Sequence, residues 1–335
     1  MILREYSIDF QWPTREPFLF CVHHLDRYPK GESDFGPERK HLKGRQIGQD
    51  FVEKDGFRMY HGEVVPGFPV HPHRGFETIT IVRRGYVDHA DSLGAAGRYG
   101  EGDVQWMTAG AGVQHSEMFP LLKQDQENTV ELFQIWLNLP RKSKMVPPHF
   151  TMFWSEKLPR LQLDNNRVEV DVIAGSFSGT KALSPPPDSW AANPDNEVRV
   201  LIIKIKPGGK FEFPKAVGPT SRMLYFYEGS SAVLQGTKVN AHTAFEISSR
   251  EELELSIDAG AQGACFLLLE AKPIGEPTVQ YGPFVMNSKE EIAQTIEDFR
   301  KTEFGGWTWP SDAPVHGPGL KRFAKFPDGK LETPL

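Results

Sequence analysis

Short runs rich in β-branched and aromatic residues recur along the chain, each closed by a turn signal. Phe76 to Val82, Val130 to Leu137, Val168 to Ala174 and Val198 to Ile205 read as strands. Met223 to Tyr227, Ala244 to Ile247 and Ala264 to Leu269 read the same way. Arg84-Gly85, Gly100-Glu101-Gly102-Asp103, Pro207-Gly208-Gly209 and Glu228-Gly229 punctuate them. Many short strands with frequent turns and little helical periodicity predict an all-β sandwich or barrel. One helix is signalled. Ser288 and Glu291 have the spacing of a capping box, and Ile292, Ile296 and Phe299 follow on one face.

A weak internal echo suggests duplication. Ile79 to Gly85 and Leu224 to Gly229 are both strands ending at a glycine turn, and Gly97 to Trp106 has a looser counterpart in Gly236 to Phe245. The prolines and charges of Leu139 to Pro148 suit a linker, which predicts two β-barrel domains, 1–143 and 144–335.

Composition narrows the function classes. The 335 residues carry a formal net charge of −6, so no global basic field favours direct nucleic-acid binding. No apolar run reaches the length of a membrane span, and the N-terminus lacks a basic segment leading into an apolar run. Cys21 and Cys265 lie far apart in apolar contexts and read as buried thiols. A soluble cytoplasmic protein is the expectation.

The candidate chemistry sits in two doublets, His71-Pro72-His73 and His115-Ser116-Glu117. Side chains two apart on a strand share a face, so neighbouring strands could aim three imidazoles and a carboxylate at one point. With 11 histidines in the chain, one such pair arises readily by chance. Pro72 sharpens it, because proline belongs at a strand's edge or start. Mixed imidazole and carboxylate donors suit iron, manganese, nickel, copper or zinc, and open positions beside them usually mean oxygen chemistry when iron is bound. Glu77 could reach the metal or orient a ligand if the strand ran through Gly75 without a bulge. The other histidines lack a partner at strand spacing.

Gly67 to Glu77 with Gly85 resembles the first signature of the cupin superfamily. More specifically, His71 to Thr78, Gly102 to Gly110 with His115 to Glu117, Phe133 to Pro140 and Tyr281 to Glu291 resemble the pirin family. That resemblance implies a bicupin with one Fe(2+), or another divalent ion, in the N-terminal barrel. The ligands it carries over are His71, His73, His115 and Glu117. The C-terminal barrel is then degenerate, with Lys210 to Pro214 where a second His-x-His would stand.

The resemblance implies two kinds of function. One is a quercetin 2,3-dioxygenase type of enzyme acting on a small aromatic substrate with dioxygen. There Glu117 would take the flavonol hydroxyl proton, Trp106, Met107 and Phe133 would offer an aromatic wall, and Arg74 would steady anionic oxygen. The other is an iron-dependent regulator that binds a protein partner without turnover. The Lys30 to Asp50 segment and the tail after Phe304 look longer than in compact members of the family.

Overall fold

The computed structural model describes residues 1–334. Its strands follow the apolar runs closely: Phe76–Arg84, Asn128–Asn138, Val168–Ala174, Arg199–Ile205, Ser221–Glu228, Thr243–Ile247 and Ala264–Ala271. Two cupin domains result, each built from antiparallel strands.

The chain divides into two compact units, and these are not the linear halves 1–143 and 144–335. One unit comprises Met1–Val22, Ile135–Pro140 and Lys157–Glu276; the other comprises His23–Gln134, Arg141–Glu156 and the chain from Pro277 onward. Strand Ile2–Ser7 crosses over because it pairs antiparallel with Thr243–Ile247, which puts the N-terminus in the later unit's seven-stranded sheet. The helix and the tail cross the other way. A linker proline marks where a domain can end, but non-local pairing decides which residues join it.

The later unit has an apolar interior. Val168, Val170, Leu201, Ile203, Phe211, Phe213, Leu224, Phe226, Leu255 and Phe266 are all buried there in one cluster. Phe211 and Phe213 meet edge to face at 4.7 Å, and Phe226 stacks on Phe266 at 4.4 Å. Lys210, by contrast, is exposed.

The earlier unit holds a five-stranded and a six-stranded sheet. In the six-stranded sheet, strand Gly67–His73 pairs with Val113–Met118, which pairs with Tyr86–Asp91 and then Ala96–Gly100. The tail strand Phe323–Lys325 pairs with Ala96–Gly100, and Leu331–Glu332 completes the sheet beside it. Trp309 Nε1 donates to the Asp91 carbonyl at 2.7 Å, so an aromatic pins the tail. The 14-residue helix Lys289–Thr302 starts where predicted, with Ser288 accepting from the Glu291 N–H at 3.2 Å. Ile292 is buried beside Phe284, Met286 and Phe304, with Ile296 and Phe299 packed against them.

Candidate metal centre

Strand Gly67–His73 and strand Val113–Met118 run antiparallel with His71 opposite His115. Alternation on each strand then puts His73 beside His71 and Glu117 beside His115 on the same face. The rings converge. Centroid separations are 4.8 Å for His71 and His73, 4.5 Å for His71 and His115, and 4.9 Å for His73 and His115. One potential ligand atom from each lies within 4.8 Å of the others.

The tautomer of His71 is set by its surroundings. Its Nδ1 lies 2.8 Å from the Pro69 carbonyl, which can only accept, so Nδ1 carries the proton and Nε2 keeps the lone pair. Burial lowers the His71 pKa to about 4 and pushes His73 and His115 well below the usual imidazole value. Mutual repulsion among the rings adds to this for His73 and His115. All three are therefore neutral and ready to donate a lone pair. Both ring nitrogens of His115 are buried and hydrogen-bonded to nothing among the described residues. Leaving such donors unpaired is costly unless a ligand satisfies them, so the residues fit a metal ion.

Glu117 lies beside the triad, its Oε2 3.8 Å from His115 Nε2. Thr80 donates to Oε1 at 3.1 Å and the Gln134 amide donates to Oε2 at 2.8 Å. Burial raises its pKa, while His89 and the bonds from Thr80, Gln134 and Tyr99 work in the opposite direction. Thr80, Gln134 and Tyr99 come from three further strands. They went unremarked in the sequence because only pairing brings them to the carboxylate.

Four other expected site residues lie elsewhere. Gly75, at φ 84°, ends the ligand strand in a turn, where an added Cβ would sit 2.0 Å from the Val285 carbonyl oxygen. Glu77 thus belongs to the next strand, Phe76–Arg84, and accepts from the Thr108 hydroxyl at 2.7 Å. Thr80 faces Glu117, so alternation turns Glu77 to the opposite face of that strand. Trp106 pairs with Ile79 and Gln105 with Thr80, which also turns Trp106 away from Glu117 and toward Phe153. Phe133 precedes Gln134 and stacks on His23 at 4.5 Å, again on the far face.

Arg74 is spent on the helix. Its guanidinium bonds Asp298 at 2.7 Å and the Ala111 carbonyl at 2.7 Å, and lies over the Phe304 ring. These commitments leave the anion clamp without its residue and the expected wall with Met107 alone, which pairs with Thr78 and so shares the face of Thr80 and Gln105. Partly exposed rings stand elsewhere beside the triad. Phe68 meets His71 at 6.3 Å, and Phe51 and His61 meet Phe68 at 6.4 and 5.9 Å.

A cupin-type β-barrel with three convergent imidazoles and an adjacent carboxylate defines a class of metal-binding protein. Comparison with known proteins gives the particular family. Residues 33–137 match the family described as Pirin, and residues 200–305 match the Pirin C-terminal cupin domain. The chain belongs to the pirin family. It is 41% identical over 238 residues to a Pseudomonas aeruginosa protein named "Putative quercetin 2,3-dioxygenase", covering 71% of this chain and 80% of that one. It is 34% identical over 264 residues to human pirin, covering 76% and 84% respectively. A crystal structure of quercetin 2,3-dioxygenase from Acinetobacter baumannii superposes with a TM-score of 0.72 at 28% identity, covering 91% of this chain and 98% of that one. No helix among the described residues is long and apolar enough to cross a membrane.

Proposed function

We propose that this protein is a metal-dependent dioxygenase of flavonol-like phenols, with iron(II) held by His71, His73, His115 and Glu117. The observation that carries the reading is the convergence of three neutral imidazoles beside a buried carboxylate that is itself held by Thr80 and Gln134. When bound, the ion would supply Lewis acidity toward a phenolic oxygen and a meeting place for dioxygen.

The chain's own residues do the rest. Burial keeps His71, His73 and His115 unprotonated, so no proton competes for the lone pairs. The Pro69 carbonyl holds the His71 ring in one tautomer and orientation. Thr80 and Gln134 fix both oxygens of Glu117, which preorganises the donor set. Phe68 and Phe51 give a planar aromatic substrate a surface to lie against.

Anaerobic loading with iron(II), then addition of quercetin and air, tests the reading. Loss of flavonol absorbance with release of carbon monoxide is expected, and His73→Ala should abolish both. A loaded protein that leaves flavonols untouched, yet captures a protein partner in one iron oxidation state only, would overturn it in favour of a regulator.

A further inference from the structure

Turnover of a phenol needs a group to take the hydroxyl proton, and Glu117 is poorly placed for that task. Its two oxygens already accept from Thr80 and Gln134, and it adjoins His115. A different base stands one ring further out. His61 Nδ1 lies 2.8 Å from the Gly48 carbonyl, so that nitrogen carries the proton and the lone pair is on Nε2. Nε2 makes no hydrogen bond among the described residues, and the residue is only partly buried. Phe51 and Phe68 flank the imidazole edge to face, at 4.9 Å and 5.9 Å.

The wall is held from behind. Tyr60 lies nearly parallel to Phe68 at 5.1 Å. Its hydroxyl donates to Asp26 Oδ2 at 2.5 Å and accepts from His24 Nδ1 at 2.7 Å, while Arg58 donates to Asp26 Oδ1 at 3.2 Å. This buried chain fixes residues 58–60 and hence the entry to His61. Tyr60 adopts φ 58°, a conformation a bulky side chain rarely takes without such restraint. Phe68 carries the same surface from His61 to the metal ligand.

We infer that Phe51, His61 and Phe68 form the binding wall for a planar phenolic substrate, and that His61 Nε2 takes the proton of its hydroxyl. The O–H bond breaks, the Nε2–H bond forms, and the electron pair stays on the phenolic oxygen as the phenolate. The step is neutral in electrons and needs no oxidant. It rests on the dioxygenase reading above, and places the acid–base chemistry outside the metal ligands.

Two measurements separate this inference from that reading. Metal-free protein is first titrated with quercetin, following the flavonol's absorbance and fluorescence. Phe51→Ala should weaken binding by about tenfold, since it removes one ring of the wall. Wild-type affinity in Phe51→Ala would overturn the wall. In the iron-loaded protein, His61→Gln keeps an acceptor without basicity. It should change KM by less than Phe51→Ala changes the binding constant, while kcat falls about a hundredfold or more, the scale of general-base catalysis. Unchanged kcat in His61→Gln, at wild-type iron content and melting temperature, would overturn the base assignment while leaving the dioxygenase reading intact. No turnover by the wild type, with flavonol still bound to the metal-free protein and lost in Phe51→Ala, would sink the dioxygenase reading and uphold the wall.

Discussion

The two barrels put opposite chemistry into the same architecture. In one, antiparallel strands deliver His71, His73, His115 and Glu117 to a common face. In the other, Phe211 and Phe213 sit on strand Lys210–Phe213 and close with Phe177, Phe226 and Phe266 into an apolar core. The polar interior gives up hydrophobic burial and keeps neutral imidazoles, with both nitrogens of His115 hydrogen-bonded to nothing among the described residues. The apolar interior recovers that burial, with a Phe side chain contributing on the order of 2–3 kcal/mol when fully removed from water. One barrel is organised to bind and the other to hold.

The sharpest way to break this comparison is to remove a ligand. His115→Ala leaves only two imidazoles and a carboxylate, and should reduce iron retained through desalting to background by elemental analysis. It should also remove the rise in melting temperature that metal gives the wild type, because that rise is binding free energy. Stoichiometric iron in His115→Ala would show that the triad is not the site. Phe213→Ala probes the other barrel. It should lower stability by about 3–5 kcal/mol through the cavity it leaves, while iron content stays at one per chain. A Phe213→Ala protein of normal stability with reduced iron would invert the division of labour.

The period-two doublets were legible because a strand's own geometry puts i and i+2 on one face. What surrounds them was not. Whether Trp106 or Gln105 faces Glu117 depends on the register Ile79 to Trp106 and Thr80 to Gln105, which no local pattern encodes. Glu77 hung on a related condition, an unbroken strand through Gly75. His73 and Glu77 share a parity in sequence, but the Gly75 turn puts them on different strands. The helix shows the same limit. Its capping and its apolar face were readable, but its polar partner was not, because Arg74 and Asp298 meet across more than 200 residues of chain. Amphipathicity says that a face is buried, not against what.

Acid should tell the barrels apart next. Unfolded histidines titrate at about 6.5. In the fold, burial holds His24 at about 3, His71 at about 4, and His73 and His115 well below their usual value. The folded state therefore binds fewer protons, so this stability is complete above about pH 6.5 and is lost as pH falls through the folded values. Asp26 has the opposite sign. Burial raises it to about 6, so its contribution is present at low pH and lost as pH rises through about 6. Burial raises Asp103 and Glu117 too, giving them the sign of Asp26, but four histidines outweigh three carboxylates, and all of these groups lie in the unit that holds the triad. Metal-free protein should lose on the order of a few kcal/mol between about pH 7 and 5 in urea unfolding, with bound metal suppressing much of the loss. A stability that is flat or rising toward pH 5 would contradict this assignment.

The smallest expected effect tests how finely the polar interior is tuned. Gln134 hydrogen-bonds no imidazole; it donates to Glu117 Oε2 at 2.8 Å, and Thr80 donates to Oε1 at 3.1 Å. Groups that orient a ligand in this way are worth about 10–100-fold in metal affinity. Gln134→Leu retains the side chain's bulk but removes the donor, leaving one carboxylate oxygen buried without that bond. Competition with a metal indicator should show iron(II) affinity lowered within that range, and Gln134→Glu should lower it further by placing a second carboxyl group against the first. Thr80→Val should produce a similar loss through the other oxygen. In the apolar barrel no residue has such a role, so substitutions of equal volume there should leave metal affinity unchanged. If Gln134→Leu binds iron as tightly as the wild type, Glu117 is held by the strand alone, and the hydrogen bonds around it serve packing rather than the metal.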